Sequence, residues 1–133
     1  MIIAKKSLGQ NFLVDKNVLE KIISIAKIEK KIILEVGAGT GNLTTYILKN
    51  NPKKFFVVEK DKRLVEVLKN NFGDKIVIIN DDILNIKENS FFKEKVTVFG
   101  NLPYNISTEI LSKWIINLKK DVWFDQLILM FQK

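Results

Sequence analysis

The fold of this chain is decided by the stretch Ile32–Thr44, which reads IILEVGAGTGNLT. It begins as an apolar strand-like run, passes through glycines at alternate positions, and continues into a helical pattern as far as Leu48. Glycine has no Cβ, so a backbone that contains several can turn sharply and approach a bound molecule closely. Strand, glycine-rich turn and helix in this order predict an α/β fold, in which the turn either holds a ligand or simply joins the two elements.

The glycine spacing narrows the choice of ligand. Counted from Gly37, the dinucleotide-binding fingerprint G-x-G-x-x-G requires a glycine where Asn42 stands. A phosphate-binding loop that ends in Gly-Lys-Ser or Gly-Lys-Thr is also absent from the sequence. The alternation of Gly37, Gly39 and Gly41 suits S-adenosylmethionine instead, because this molecule has no phosphate to be cradled.

Acidic residues follow the next two strand-like runs. Glu59 ends the run Phe55–Val58, about twenty residues after the glycines, where an acid can accept both hydroxyls of a ribose. The alternative is a solvated charge among neighbouring lysines. Asp82 comes after the run Ile76–Ile79 and could accept a hydrogen bond from an adenine amino group, or could be a cap or loop acid.

The segment Asn101–Tyr104, Asn-Leu-Pro-Tyr, is here called the NLPY segment. An amino group conjugated to a purine ring is a poor nucleophile, because its lone pair is delocalised into the ring. Acceptors that hold its hydrogens turn the lone pair toward an electrophile; the Asn101 amide and the Leu102 backbone carbonyl could serve if Pro103 fixes a turn there. Tyr104 offers a flat face on which a flipped-out base can stack. The pattern predicts methylation of adenine N6.

The hydrophobic pattern predicts strands that alternate with helices, as in a parallel sheet covered on both faces. The glycine turn, Glu59, Asp82 and Asn101 each end a successive strand, and such strand ends form the ligand crevice of an open α/β sheet. We expect Asp15, Asp61 and Ser107 to cap helices. The predicted strands lie near 31–36, 54–59, 75–80, 95–99 and 126–132, with a helix after Asp15 and others near 42–50, 61–71 and 107–118.

The sequence resembles the ribosomal RNA adenine N6,N6-dimethyltransferases of the KsgA type. The matching pieces are Ser7–Leu13, Glu35–Gly41, Glu59, Asp82 and Phe99–Ser107, so the resemblance reaches from Ser7 to the last residue. It implies a Rossmann-like class I S-adenosylmethionine-dependent methyltransferase fold. It also implies that two methyl groups pass from S-adenosylmethionine to N6 of adenines in small-subunit (16S) rRNA during ribosome assembly.

The same resemblance implies a role for individual residues. The catalytic residues would be Asn101, Leu102, Pro103 and Tyr104. The donor-binding residues would be Gln10, Asn11, Leu13, Gly37, Gly39, Glu59, Asp82, Ile83 and Asn101, with no metal required.

Two alternatives stay open within this resemblance. A second branch of the family methylates large-subunit (23S) rRNA and confers macrolide resistance. Gly9 and the stretch Ala38–Thr44 look more like the small-subunit branch. The other alternative is a non-catalytic RNA-binding factor for assembly or transcription on the same fold.

The chain of 133 residues has room for one domain, residues 1–133, and is shorter than this family's proteins. It ends on the apolar run Leu127–Phe131, whereas chain termini are usually polar. We therefore expect a domain truncated after about the fifth strand, without the later strands and the helical RNA-selecting domain. Such a fragment would be inactive and would self-associate through an exposed, apolar edge strand.

The composition agrees with a cytoplasmic, nucleic-acid-binding protein. The net charge of +7 favours an RNA partner, although the abundance of Lys, Ile and Asn could also reflect a genome-wide bias. Charged residues interrupt every apolar run before it reaches the length of a membrane span, and Met1–Lys6 lacks the apolar core of a signal peptide. The absence of Cys and His excludes a disulfide framework, a zinc site of the usual ligands and a histidine base within this chain.

Overall fold

A computed structural model describes residues 2–4, 16–116 and 122–132 of the protein. These residues form six strands, five α-helices and two 3₁₀ turns, at Gly73–Lys75 and Ile83–Asn85. The strands are β1 (Ile2–Ala4), β2 (Ile32–Val36), β3 (Lys54–Val58), β4 (Val77–Ile79), β5 (Val96–Pro103) and β6 (Phe124–Gln132). The helices are α1 (Lys16–Ile25), α2 (Asn42–Leu48), α3 (Lys62–Phe72), α4 (Glu88–Phe91) and α5 (Tyr104–Ile116).

The six strands form one parallel sheet in the order β1-β6-β5-β2-β3-β4. The chain moves outward from β2 to β3 and β4, and then returns to the other side of β2 with β5 and β6. This reversal makes the boundary between β2 and β5 the topological switch point. In an open α/β sheet, a ligand binds beyond the carboxyl ends of the strands at this point.

Both faces of the sheet carry a hydrophobic core, because successive residues of a strand point to opposite faces. In β2, Ile33 packs into a core with helices α1 and α2, and the next residue, Leu34, packs into a core with α5. Residues Phe99 and Val98 of β5 divide between the same two cores. Burial on both faces explains why these strands read as continuous apolar runs.

The parallel α/β fold predicted from the hydrophobic pattern is confirmed, and Asp61 caps α3 by accepting a hydrogen bond from the Arg63 N–H at 2.8 Å. The cap at Ser107 is wrong, because α5 already begins at Tyr104. The predicted turn over the NLPY segment is also wrong. Strand β5 stays extended through Pro103 because Asn101, Leu102 and Pro103 remain in register with β6. The predicted cap at Asp15 lies outside the described residues.

The prediction that the last strand is an exposed edge is wrong for Met130–Gln132, where Ile2–Ala4 of β1 pairs with β6 on the side away from β5. Among the described residues, no strand pairs with Phe124–Leu129 on that side. The expected self-association through this edge stays a prediction. Sequence periodicity could not reveal β1, because three residues are too few to show a period.

Within residues 2–4, 16–116 and 122–132, none of the helices has the length and apolar character that a membrane span requires. The same residues contain no group of three or more acidic side chains placed to hold a metal ion.

Candidate active site

The glycine turn touches the NLPY segment at the switch point. Gly37, directly after β2, has a φ of +74°, and a Cβ built there would lie 3.0 Å from the backbone oxygen of Asn101. The same Cβ would lie 3.0 Å from Cδ2 of Leu102. Only glycine suits both the left-handed backbone and the close approach. The two motifs that are most distinctive in the sequence are therefore in direct contact.

Glu59 follows β3 and is buried, with 7% of its surface exposed. Its backbone N–H continues the ladder to Ile79 at 3.0 Å, which fixes the residue at the end of the sheet. One carboxylate oxygen accepts from the Gly39 N–H at 3.4 Å, and the other accepts from the Asp61 N–H at 3.1 Å. Each oxygen keeps further acceptor capacity, because a carboxylate oxygen has two lone pairs. The carboxylate is held in place and remains able to accept hydroxyl donors.

Glu35 is a second buried carboxyl group below the glycine turn, and it was not predicted to have a role of its own. It is 2% exposed and accepts a hydrogen bond of 2.5 Å from the Thr44 hydroxyl of α2. Burial, and to a lesser degree the nearby Glu59 charge, raises the pKa of Glu35 to about 7, although the Thr44 hydrogen bond opposes the shift. The strand that leads into the glycine turn thus contains a buried carboxyl group, Glu35, which is partly protonated near neutral pH.

Asp82 begins the 3₁₀ turn Ile83–Asn85 that follows β4. One carboxylate oxygen accepts from the Leu84 N–H at 3.0 Å, and the other lies 3.6 Å from the Lys60 ammonium group. The residue therefore caps the turn, as one of the two interpretations of the sequence expected. Its side chain is still 29% exposed, at the rim of a cavity.

A cavity of about 320 Å³ joins the carboxyl ends of β2, β3, β4 and β5. Its apolar walls are the buried side chains of Val36, Val58, Ile83 and Leu102. Gly37, Glu59 and Asp82 also line it, so the structure brings together five of the residues predicted to bind the donor or the target base, namely Gly37, Glu59, Asp82, Ile83 and Leu102.

The remaining predicted residues divide into three groups. Gly39 and Asn101 are tied to this cavity through the contacts of Glu59 and Gly37 given above. Pro103 ends β5 and Tyr104 begins α5, so their backbones lie at the correct end of the sheet. Gln10, Asn11 and Leu13 fall outside the described residues, and their predicted role stays a prediction.

Lys113 of α5 contacts the backbone of the turn that lines the cavity, and the sequence did not predict this role. Its ammonium group donates to the backbone carbonyls of Ile83 at 2.8 Å and Ile86 at 2.5 Å, and lies 3.1 Å from the Glu88 carboxylate. Glu88 is buried and also accepts from the indole N–H of Trp114 at 2.8 Å. The sequence offered one indication that Lys113 is not simply a surface lysine, namely its place beside the apolar Trp114 on a predicted helix. It could not identify the partners of Lys113, because they lie 25 to 30 residues away in sequence.

Comparison with known proteins identifies the family. The model of the ribosomal RNA adenine dimethylase family matches residues 1–133. The small subunit rRNA methyltransferase A of Pelagibacter ubique is 64% identical over 130 residues, which cover 98% of this chain and 50% of the relative. The protein of the same name in Mesomycoplasma hyopneumoniae strain 232 is 44% identical over 133 residues, covering 98% of this chain and 48% of the relative. The chain spans about half the length of these relatives.

Solved structures agree with this result. A dimethyladenosine transferase from Plasmodium falciparum superposes with a TM-score of 0.73 and 31% identity, over 90% of this chain and 42% of that one. The 23S rRNA methyltransferase ErmE gives a TM-score of 0.72 over 90% of this chain and 48% of that one, but at 23% identity this likeness concerns the fold alone. Because the family model matches residues 1–133, the chain belongs to the ribosomal RNA adenine dimethylase family.

Proposed function

We propose that the complete protein carrying this sequence transfers two methyl groups from S-adenosylmethionine to N6 of adenines in small-subunit (16S) rRNA, in the cytoplasm during ribosome assembly. The observation that carries the proposal is the contact of Gly37 with Asn101 and Leu102. It places a nucleoside-sized cavity directly beside the residues that would hold the amine to be methylated.

The residues present fit the adenosine part of S-adenosylmethionine. The fixed, buried Glu59 carboxylate offers acceptors to the two ribose hydroxyls, at the cavity wall. Val36, Val58, Ile83 and Leu102 form apolar walls suited to the faces of an adenine ring. Among the described residues that line the cavity, Lys60 is the single cation, so the lining there does not form the cluster of cations that would favour a phosphate.

The turn after β4 would bind the polar edge of the donor's adenine. Asp82 uses one oxygen for its cap. The other lies 3.6 Å from the exposed Lys60 ammonium group and would accept from an adenine amino group. The Ile83 carbonyl already accepts from Lys113 and Ile86, so we assign the Ile83 N–H, the first of the 3₁₀ turn, to a ring nitrogen.

The bound donor supplies an electrophilic methyl group on a sulfonium. The protein's own task is to hold the target amine. Because the segment is extended and not a turn, we assign this task to the end of β5: the Asn101 amide oxygen and the Leu102 carbonyl would accept the amine's hydrogens, and Tyr104 would stack on the extruded base. These contacts would direct the nitrogen lone pair toward the methyl group. The new N–C bond would replace the S–C bond, which leaves a neutral thioether, and the methylated amine would release its proton to water. Catalysis of this kind relies on positioning and fixed dipoles and does not require a strong base.

The choice of small-subunit rRNA rests on the relatives. The two relatives named above as small subunit rRNA methyltransferases are 64% and 44% identical to this chain. The test is transfer of labelled methyl groups by the complete protein to unmethylated small- and large-subunit particles, followed by mapping of the label. We expect dimethyladenosine in small-subunit rRNA alone. Label in the large subunit, or donor and RNA binding without any transfer, would refute the proposal in favour of the 23S branch or a non-catalytic factor.

Glu59→Ala should weaken donor binding by roughly 1.5–3 kcal/mol, because charge-assisted hydrogen bonds to the ribose are lost. Isothermal calorimetry with S-adenosylmethionine measures the effect. Glu59→Gln, which keeps the shape and loses the charge, should fall between the wild type and the alanine variant. Glu66→Ala removes an exposed carboxylate from the neighbouring helix α3 and serves as the control. Equal affinity of Glu59→Ala and the wild type would show that Glu59 is only a structural acid.

A further inference from the structure

We propose that Lys113 is a positioning residue that sets donor affinity by holding the turn Ile83–Ile86 against helix α5. This inference rests on the proposed function, because the turn matters for catalysis only if it binds the donor's adenine. Lys113 itself lines no part of the cavity among the described residues, so it would act through the turn.

The geometry of the Lys113 ammonium group is specific. A lysine has three N–H donors, and here they face three oxygens: the carbonyls of Ile83 and Ile86 and the carboxylate of Glu88. The two carbonyls come from opposite ends of the turn, so a single cation fixes its backbone at both ends. The turn Ile83–Asn85 has three residues; its own backbone hydrogen bonds run from the Asn85 N–H to the Asp82 carbonyl at 2.9 Å and from the Ile86 N–H to the Ile83 carbonyl at 3.3 Å. So short a 3₁₀ turn gains little from its own hydrogen bonds, and the cation adds two contacts to it.

Glu88 completes the arrangement. It is 4% exposed, and its Oε2 atom accepts from both Lys113 and the buried Trp114 indole. A buried carboxylate with a cation and an indole donor is satisfied, whereas the same carboxylate without the cation is costly. Glu88 therefore keeps the lysine at the turn instead of letting its long side chain extend into water.

The network also connects the two halves of the site. Helix α5 begins at Tyr104, directly after the strand that carries Asn101, and Lys113 lies further along the same helix. The turn that would bind the donor's adenine is thus hydrogen-bonded to helix α5, and this helix begins at Tyr104, the residue proposed to stack on the target base. A shift of the turn would change donor binding without removing any group that touches the reacting atoms.

The first test is Lys113→Met, which keeps the unbranched stem and removes the charge. We expect the dissociation constant and the KM for S-adenosylmethionine to rise about tenfold, because the turn loses the hydrogen bonds from the cation that hold its backbone in place. We expect kcat and RNA affinity to stay close to wild type. Amide hydrogen exchange of residues 83–86 in the ligand-free protein should accelerate, which gives a readout that needs no activity. Lys113→Arg should restore both, since a guanidinium can also donate to several oxygens. Lys93→Met, at an exposed lysine in the loop before β5, controls for loss of charge.

A second variant separates positioning from simple loss of stability. Lys113→Met leaves Glu88 buried without its cation, so it will also lower the melting temperature. In Lys113→Met/Glu88→Gln the unpaired charge is removed and an acceptor for Trp114 remains, so stability should recover while donor affinity stays low. Recovery of both, or wild-type donor affinity in Lys113→Met, would overturn the inference. A wild-type protein that neither binds the donor nor transfers methyl groups would instead refute the proposed function, so the two failures are distinguishable.

Discussion

Asn101→Ala in the complete protein should lower the rate of methyl transfer by about 100-fold or more, while RNA binding remains largely intact. The reason is that the Asn101 amide would act on the reacting amine itself, and loss of one preorganised polar contact at a reacting atom typically has an effect of this size. The alanine side chain cannot accept a hydrogen from the amine, so the lone pair stays conjugated with the purine ring. Single-turnover transfer of a labelled methyl group, with enzyme in excess over RNA, measures the chemical step.

Asn105→Ala is a matched control for this experiment. Asn105 is an exposed asparagine in the first turn of α5, close to the NLPY segment but with its side chain at the surface. It should transfer methyl groups at nearly the wild-type rate. An Asn101→Ala protein that is as active as Asn105→Ala would contradict the role of the NLPY segment in the chemistry, whatever happens to RNA binding.

The sequence predicted that the glycine turn, Glu59, Asp82 and the NLPY segment lie together, because this follows from the regular geometry of a parallel sheet. Each motif follows an apolar run, parallel strands end at the same edge of a sheet, and the chain returns to the other side of β2 after β4. Gly37, Glu59, Asp82 and Leu102 line one cavity for this reason. What the sequence did not show was that Gly37 lies against the Asn101 backbone, since that contact depends on the register of β2 and β5.

The errors have the opposite cause, because they arise where pairing with a distant segment overrides a local preference. Asn101–Pro103 looks like a turn by itself, but register with β6 keeps it extended. Strand β1 has no visible period, yet it pairs with Met130–Gln132 at the far end of the chain. The contacts of Lys113 also depend on a distant segment: no residue near it in sequence indicates that its partners are the Ile83 and Ile86 carbonyls.

Glu35 should make the stability of the protein fall as the pH rises from 5 to 8. Burial raises the pKa of this carboxyl group from 4.5 to about 7 in the folded state. Below pH 4.5 the group is mostly neutral in both the folded and the unfolded state. Between pH 4.5 and 7 it is ionised in the unfolded chain but still protonated in the folded protein, so the free energy of unfolding decreases as the pH rises. Above pH 7 the group also ionises in the folded protein, and the free energy of unfolding decreases no further on its account. A shift of this size corresponds to roughly 2 to 3 kcal/mol of stability between pH 5 and 8.

Asp125 contributes in the opposite direction and in a different range. Burial would raise its pKa, but hydrogen bonds from Thr97 and Lys31 outweigh burial and lower the pKa below 3.8. Its contribution to stability is therefore present above that value and is lost only in more acidic solution. The sequence contains no histidine or cysteine, the side chains that most often titrate near neutral pH. Among the described residues, Glu35 is the carboxyl group whose pKa is raised into the range between pH 5 and 8.

Urea denaturation of the wild type and of Glu35→Gln at several pH values between 5 and 8 tests this expectation. The glutamine cannot ionise and can still accept the Thr44 hydrogen bond, so its stability should be nearly independent of pH in this range. The free energy of unfolding of the wild type relative to the variant should fall by roughly 2 to 3 kcal/mol as the pH rises. Glu20→Gln, at an exposed position on α1, should keep the wild-type pH dependence. Parallel curves for the wild type and Glu35→Gln would mean that Glu35 is already ionised in the folded protein, and that the glycine turn rests on a buried charge and not on a neutral carboxyl group.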